Sequence, residues 1–374
     1  MTRLLPGLLV VIAVTLAATV LAGVIGAWML QIQGLDSAAA KGNPISPVTV
    51  AIVLGLLVAS TIAPRPALKP GYELAVKHFL RVGIVLVGIR LSLVDVLQLG
   101  AIGIPFVAAI IVSAVLLARW AARRLGVSEK LGLLTAAATS ICGVTAALAT
   151  APAIEADETE VAYAVANTTL FGMVAMLLYP WLAHAVFAGQ SVGAGLFLGT
   201  SIHDTSQVLG AALAYQQMFA DEIAFKAATV TKLTRNLFII VVVPLLGWIA
   251  TRRRPVGSGA PRASLASLVP LFVIGFVAMA VVRTIGDLTL ARSGVALGVV
   301  DGDAWRAATR WIGEVASGWL LTTAMAAVGL STRFAMFRRL GARPLWLGGI
   351  VAIAVGASGM ALALLVSPWV QTCG

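Results

Sequence analysis

Apolar runs of about 20 residues recur along the whole of this chain, each long enough to cross a hydrocarbon layer of roughly 30 Å as one helix. No other feature constrains the fold as strongly. Inside a bilayer every backbone N–H and C=O must find its partner within the protein, so repeated runs of this kind have to stack as helices. Apolar residues make up 60% of the 374 and charged ones 11%, with a mean hydropathy of +1.00. Soluble domains carry nearer to 25% charge. The expected fold class is all-α, a polytopic membrane protein.

The formal net charge of +11 would raise the question of nucleic acid in a soluble protein. Here the Arg and Lys residues sit mainly in short loops, at Pro64-Arg65-Pro66 with Lys69, Lys77 and Arg81, at Arg119-Trp120-Ala121-Ala122-Arg123-Arg124, at Arg252-Arg253-Arg254 and over Arg333–Arg343. That is cytoplasmic anchoring, and no water-exposed domain offers a basic groove. Loop charge places the N-terminus in the cytoplasm and the C-terminus in the periplasm. Cys142 and Cys373 stand in unrelated contexts, and His78, His184 and His203 lack ligand spacing. Neither a disulfide, a metal nor a cofactor is expected, and no P-loop is present.

Taken in order, apolar helices are expected at about 8–30 (a retained helix rather than a signal peptide), 47–63, 79–97, 101–119 and 161–187. A long helix then runs from Glu222 to about 250, and others cover about 266–285, 309–330 and 344–367. With two interrupted segments at 131–154 and 191–215 this makes about eleven membrane elements. The domain reading is an N-terminal helix and external loop (1–46), a first repeat with both interruptions (47–250), a cytoplasmic linker (251–264) and C-terminal helices completing a second repeat (265–374). The stretch 286–308 reads as an external loop.

The interruptions are the unusual feature. Gly199-Thr200-Ser201-Ile202-His203-Asp204-Thr205-Ser206-Gln207 is polar, yet membrane-like sequence flanks it on both sides. A titratable pair at bilayer depth is costly and marks a functional site by default. The same letters open Thr139-Ser140-Ile141-Cys142-Gly143-Val144-Thr145, so each half of a duplicated protein contributes one polar break to a common centre. After each break come matching Leu-Phe pairs (170–171 and 237–238) and a proline (Pro180, Pro244). A second similarity links Val87-Gly88…Leu91-Ser92 to Val328-Gly329-Leu330-Ser331. Read as re-entrant hairpins, the two breaks become inverted, as the helices of this second pair already are. Read as full spans, they run the same way.

The signatures Gly-Ile-Arg-Leu-Ser (88–92), Ser-Ile-Cys-Gly (140–143), Ser-Ile-His-Asp (201–204), Val-Thr-Lys-Leu-Thr-Arg-Asn (230–236) and Val-Gly-Leu-Ser-Thr (328–332) resemble the YeiH-type family, over about Pro44 to Pro368. The resemblance implies an inner-membrane sulfate exporter, distantly grouped with bile-acid and cation/proton antiporter-type carriers.

At each break a second half-helix starts, near Val144 and near Thr205. A helix start exposes unpaired N–H groups and the positive end of the dipole, an anion site. The residues expected to bind substrate are Ser140, Cys142, Gly143, Thr145, Ser201, His203, Asp204, Thr205, Ser206, Lys232, Arg235 and Asn236. Lys232 and Arg235 serve as the cations, on the helix face that also carries Asn236. Asp204 has two readings, a helix cap or a carboxylate coupling transport to protons, and His203 has the intrinsic pKa for a proton relay. The expected function is a proton-coupled secondary transporter of sulfate or a related sulfur oxyanion. A cation/proton antiporter using Asp204 is the alternative. No nucleophile–base–orienter set marks an enzyme. The expected partners are a small inorganic anion, protons or another coupling ion, the lipid bilayer and a second copy in a homodimer, and not nucleic acid.

Overall fold

The computed structural model describes residues 4–32, 43–61, 65–251, 270–332 and 341–370. The linker expected over 251–264 lies outside these residues apart from Thr251, as do Arg252-Arg253-Arg254, most of the Arg333–Arg343 loop and Cys373.

The described chain is helical almost throughout. It opens with α1 (Leu5–Ile32) and α2 (Pro47–Thr61). One helical stretch then runs from α3 (Lys69–Leu74) through a π turn at Ala75–Phe79 into α4 (Leu80–Val87) and a 3-10 turn at Gly88–Arg90. Next are α5 (Leu93–Leu125), α6 (Glu129–Ala137) with a π turn at Ala138–Cys142, and α7 (Val144–Ile154). They are followed by α8 (Glu158–Phe187), α9 (Ser191–Ser201), α10 (Thr205–Phe219), α11 (Glu222–Leu237) and α12 (Ile239–Thr251). The remainder is α13 (Leu271–Ser293), an antiparallel hairpin of β1 (Val295–Ala296) and β2 (Val300–Asp301), α14 (Gly302–Arg310), a π turn at Trp311–Ala316, α15 (Ser317–Ser331) and α16 (Ala342–Val370). Among the described residues six helical stretches are long and apolar enough to cross a membrane, or seven if α11 and α12 form one span bent by 42°.

Three boundaries differ from the sequence expectation, each for a local reason. No single helix covers 79–97. Leu91 is extended, and Ser92 and Asp95 cap each other: the Asp95 carboxylate accepts the Ser92 N–H (2.9 Å) and the Ser92 hydroxyl accepts the Asp95 N–H (3.1 Å). That reciprocal box starts a helix at Leu93, and it runs for 33 residues. The stretch 286–308 is mostly structured rather than loop, because α13 continues to Ser293 and Asp301 caps α14, accepting N–H bonds from Asp303 (2.9 Å) and Ala304 (3.3 Å). The helix expected from Glu222 to about 250 bends at Phe238, directly after the polar run Lys232–Asn236.

The chain packs as two compact units, neither contiguous in sequence. The first comprises Met1–Leu99, Leu213–Glu222 and Pro270–Phe334. Its core gathers Val11, Ala18, Ala51, Ala75, Ala326 and Leu330. The sequence similarity around Gly88 and Gly329 has a structural counterpart here: Leu91 and Thr332 end their helices in the same extended conformation, each N–H returning to the carbonyl of the glycine three residues before it. Arg90 is buried in this unit, donating to the Gln216 side chain (3.2 Å) and paired with Glu222 (3.5 Å).

The second unit comprises Gly100–Ala212, Ile223–Val269 and Ala335–Gly374. Its core draws on α5, α6, α7, α12 and α16 through residues such as Ile110, Leu133, Ala147, Leu246 and Val351. Both polar breaks belong to it. Ser128 caps α6 by accepting the Leu131 N–H (3.0 Å), and Asp157 with Glu160 forms a full capping box at the start of α8.

Candidate functional site at the two helix breaks

Close packing between α9 and α11 creates the site. Gly195 and Gly199 lie four residues apart on one face of α9. A methyl group on Gly195 would sit 2.5 Å from the Ala227 side chain, and one on Gly199 would sit 2.8 Å from the Ala228 carbonyl. Small residues at this spacing let two helix backbones approach as they do in membrane helix pairs. The same approach brings Lys232 and Arg235, roughly three to three and a half turns along α11, up to the breaks.

Each break pairs the end of one half-helix with the start of another. In the first, the π turn Ala138–Cys142 closes with Gly143 N–H donating to the Ala138 carbonyl (2.9 Å). Gly143 then takes φ 67°, ψ −126°, a conformation open essentially to glycine alone, and α7 begins. In the second, α9 ends at Ser201, Ile202 is extended, and α10 begins at Thr205 behind Asp204. A helix end in hydrocarbon leaves carbonyls without partners.

Arg235 and Lys232 supply those partners, and both are fully buried. Arg235 Nε donates to the Ser140 carbonyl (2.5 Å), Nη1 to those of Thr200 (2.6 Å) and Ile202 (2.9 Å), and Nη2 to that of Thr139. Lys232 Nζ donates to the Ile141 carbonyl (2.9 Å) and to that of His203. One guanidinium and one ammonium therefore join the two broken segments. They also place positive charge at the negative dipole ends of two half-helices.

The opposite charge stands at the helix starts. Asp204 Oδ1 accepts from the N–H (2.9 Å) and hydroxyl (2.6 Å) of Ser206, and the Asp204 N–H donates to Gln207 Oε1 (3.0 Å). That is a cap on α10. Its other oxygen, Oδ2, lies 2.5 Å from where a methyl on Gly143 would be, so the carboxylate rests on the residue that opens α7 as well. The α7 start has no side-chain cap of its own. Asp204 is half-buried and Thr145 exposed, so this face of the centre is the accessible one.

Apart from Thr145, the remaining expected residues are buried around this arrangement. The Asn236 amide donates to the Thr205 hydroxyl (3.1 Å). The Ser140 hydroxyl donates to the Ala136 carbonyl (2.6 Å) and that of Ser201 to the Gly356 carbonyl (3.4 Å), so both hydroxyl protons are committed to backbone. Cys142 is a buried free thiol at the end of the π turn. Neither ring nitrogen of His203 has a hydrogen bond of regular geometry, its polar neighbour being the Thr139 carbonyl. Thr145, alone among the twelve, points away from the buried cluster into exposure. Among the described residues no group of three or more His, Cys, Asp or Glu side chains is placed to hold a metal.

Sequence reasoning missed Gln207 and the α9 glycines. Gln207 ties the Asp204 backbone to α8, its amide donating to the Thr169 carbonyl (3.2 Å). Its signal was present, since an Asp followed three residues later by Gln is a helix-start pattern. So was that of Gly195-Leu-Phe-Leu-Gly199, a plain G-x-x-x-G.

A family model described as conserved hypothetical protein 698 matches residues 6–348. The chain belongs to this family. Its relatives include a UPF0324 membrane protein of Yersinia pestis, 31% identical over 97% of this chain and 93% of the relative. UPF0324 membrane proteins of Bordetella bronchiseptica (32% identical, 81% of this chain, 88% of the relative) and Bacillus cereus (29%, 86% and 87%) are similar too. These are the YeiH-type proteins that the signature motifs resembled, and this member of the family is accordingly an α-helical membrane protein. No solved structure matches the chain.

Proposed function

We propose that this family member is a secondary transporter that moves a small anion, sulfate or a related sulfur oxyanion, across the inner membrane together with a proton. The observation that carries the reading is the pair of buried basic side chains, Lys232 and Arg235, beside the single half-buried carboxylate of Asp204. The dipoles of two half-helix ends and two half-helix starts, about half a charge each, cancel. One positive charge remains.

Magnitudes separate the rival substrates. An ion near Asp204, at about 4 Å from it and about 8 Å from each cation, feels about 4 kcal/mol from the carboxylate and about 2 kcal/mol from each cation at an effective dielectric of about 20. For an anion these cancel while Asp204 is charged and leave about 4 kcal/mol of attraction once Asp204 is protonated. A cation gains nothing in the first state and is repelled in the second. At such separations the centre supports an anion better than the cation of the cation/proton antiporter alternative. The Asp204 carboxylate occupies the two helix starts as a substrate anion would, so a proton and an anion together take its place. Val144 and Thr145 N–H groups at the uncapped start of α7 are the donors a sulfate oxygen would meet. No enzymatic step is part of the proposal.

Sealed vesicles containing the purified chain test it. Sulfate or sulfite uptake should be driven by a pH gradient, and Asp204→Asn should carry the anion at a rate indifferent to that gradient. Sodium flux without anion flux would replace this reading with the antiporter one. Unchanged pH-driven anion flux in Asp204→Asn would reduce the carboxylate to a cap.

A further inference from the structure

We infer that the chain carries a binding site for the headgroup of an anionic phospholipid at the C-terminal end of α5, separate from the helix breaks. A cavity of about 260 Å³ opens there, lined by Leu116, Arg119, Trp120, Arg123 and Arg124 and by no acidic side chain. Glu129 lies beside it and is already held by Arg119, through Nε (3.1 Å) and Nη2 (2.8 Å), with Arg123 at 3.9 Å. Arg124 is in no ion pair among the described residues, and its guanidinium lies 5.8 Å from the centre of the Trp120 ring. A fourth arginine, Arg343, comes up against Gly126 just past the helix end. Three guanidinium groups thus line the cavity beside one carboxylate, with a fourth just past the helix end. The helix dipole tolerates that cation cluster, since its negative end is here, but it offsets only about half a charge.

Guanidinium forks match phosphate oxygens in bidentate geometry, which favours a phosphate group over a neutral ligand. The surroundings decide where that phosphate comes from. Directly below the cavity Val112, Leu116 and Trp120 follow one another at four-residue steps, 57%, 62% and 52% exposed, and form an apolar ridge on one face of the helix. A free phosphate would use the arginines alone and make no contact with the ridge. A phospholipid meets both, the phosphate in the cavity and an acyl chain along the ridge, with Trp120 at the level where aromatic side chains mark the membrane interface. Basic clusters of this kind at a helix end attract anionic rather than zwitterionic lipid.

The full-length chain in detergent, titrated with phosphatidylglycerol and with phosphatidylcholine and read by native mass spectrometry, distinguishes the possibilities. Phosphatidylglycerol should be retained in preference. Arg123→Gln with Arg124→Gln should weaken it about thirtyfold, at about fivefold for each arginine. Arg123→Lys with Arg124→Lys should recover most of that loss. Both arginines are exposed, so an unchanged melting temperature should accompany the change. Equal retention of phosphatidylcholine would overturn the inference, as would displacement of phosphatidylglycerol by inorganic phosphate at equal concentration, or undiminished binding to the double glutamine variant. None of these outcomes bears on transport, so the two proposals stand or fall separately.

Discussion

A guanidinium set against backbone carbonyls, with no carboxylate to meet it, is constrained by shape more than by charge. Arg235 reaches Thr139, Ser140, Thr200 and Ile202 only because its nitrogens fan out in one plane. Lysine at this position keeps the charge and loses the span. Arg235→Lys should free at least two buried carbonyls at about 1–3 kcal/mol each, so thermal unfolding in detergent should reveal a loss of about 2 kcal/mol or more. A lysine variant as stable as the parent would mean that water or other donors already serve these carbonyls. Gly143 is constrained twice, by a positive φ and by the Asp204 carboxylate against its Cα. Gly143→Ala should therefore be far more damaging than Gly189→Ala, where φ is 77° but nothing lies within 4 Å. Comparing their melting temperatures sets a positive-φ glycine in open space against one that also carries the Asp204 contact. Of this detail, the polar identity of the breaks and the importance of Gly143 and Asp204 are visible in the letters. The destination of the two cations is not, because a donor's partners here are carbonyls, which every residue carries and no letter distinguishes.

Among the elements, α9 and α11 set the geometry of everything else at the site. Gly199→Ala would force a methyl group to 2.8 Å from both the Ala228 carbonyl and the Thr231 side chain. Overpacking of this kind costs about 1–3 kcal/mol, and it should push α11 outward and lift Lys232 and Arg235 off the breaks. Gly103→Ala on α5 approaches the same Thr231 at 3.9 Å and should be harmless. The pair can be compared by melting temperature and anion flux, and equal behaviour would remove the packing argument. Two helix starts were legible as capping patterns, Ser92 with Asp95 and Asp157 with Glu160, although the helices expected over 79–97 and from about 161 did not use them. The bend at Phe238 was not. The polar run Lys232–Asn236 before it reads equally as the functional face of a continuous helix, and the matching Leu170-Phe171 sits inside an unbroken α8.

For the whole molecule, the length of the apolar runs decides the all-helical class, because about 20 residues span a bilayer as a helix whereas a barrel strand needs only about 9–11. The division into two units could not be read in the same way. Each unit collects three separate stretches of chain, and the association depends on which helix faces match rather than on any shift in composition. Orientation rests on loop charge, and we expect both ends of each polar break to face the same side of the membrane. Single cysteines at Ser128 and Glu155 for the first break, and at Gln190 and Phe219 for the second, can be placed in a chain lacking Cys142 and Cys373. A membrane-impermeant reagent should label both members of a pair from one side. Labelling from opposite sides would turn the breaks into full spans and the repeats into parallel ones.

The carbonyls that Arg235 holds are made long before Arg235 itself. Ser140 precedes it by 95 residues, about 5–20 s of synthesis at ordinary ribosomal speed. For that interval the first half-helix pair has been translated and its polar turn has no donor of its own in the growing chain. It must wait in an aqueous vestibule or against an insertion factor until α11 is released beside it. Ribosome-arrested chains ending before residue 232 should thus stay accessible to protease at the first turn and crosslink to the insertion machinery, while chains extended past α11 should become resistant. The order of manufacture, not only the finished contacts, is written into where this one arginine stands.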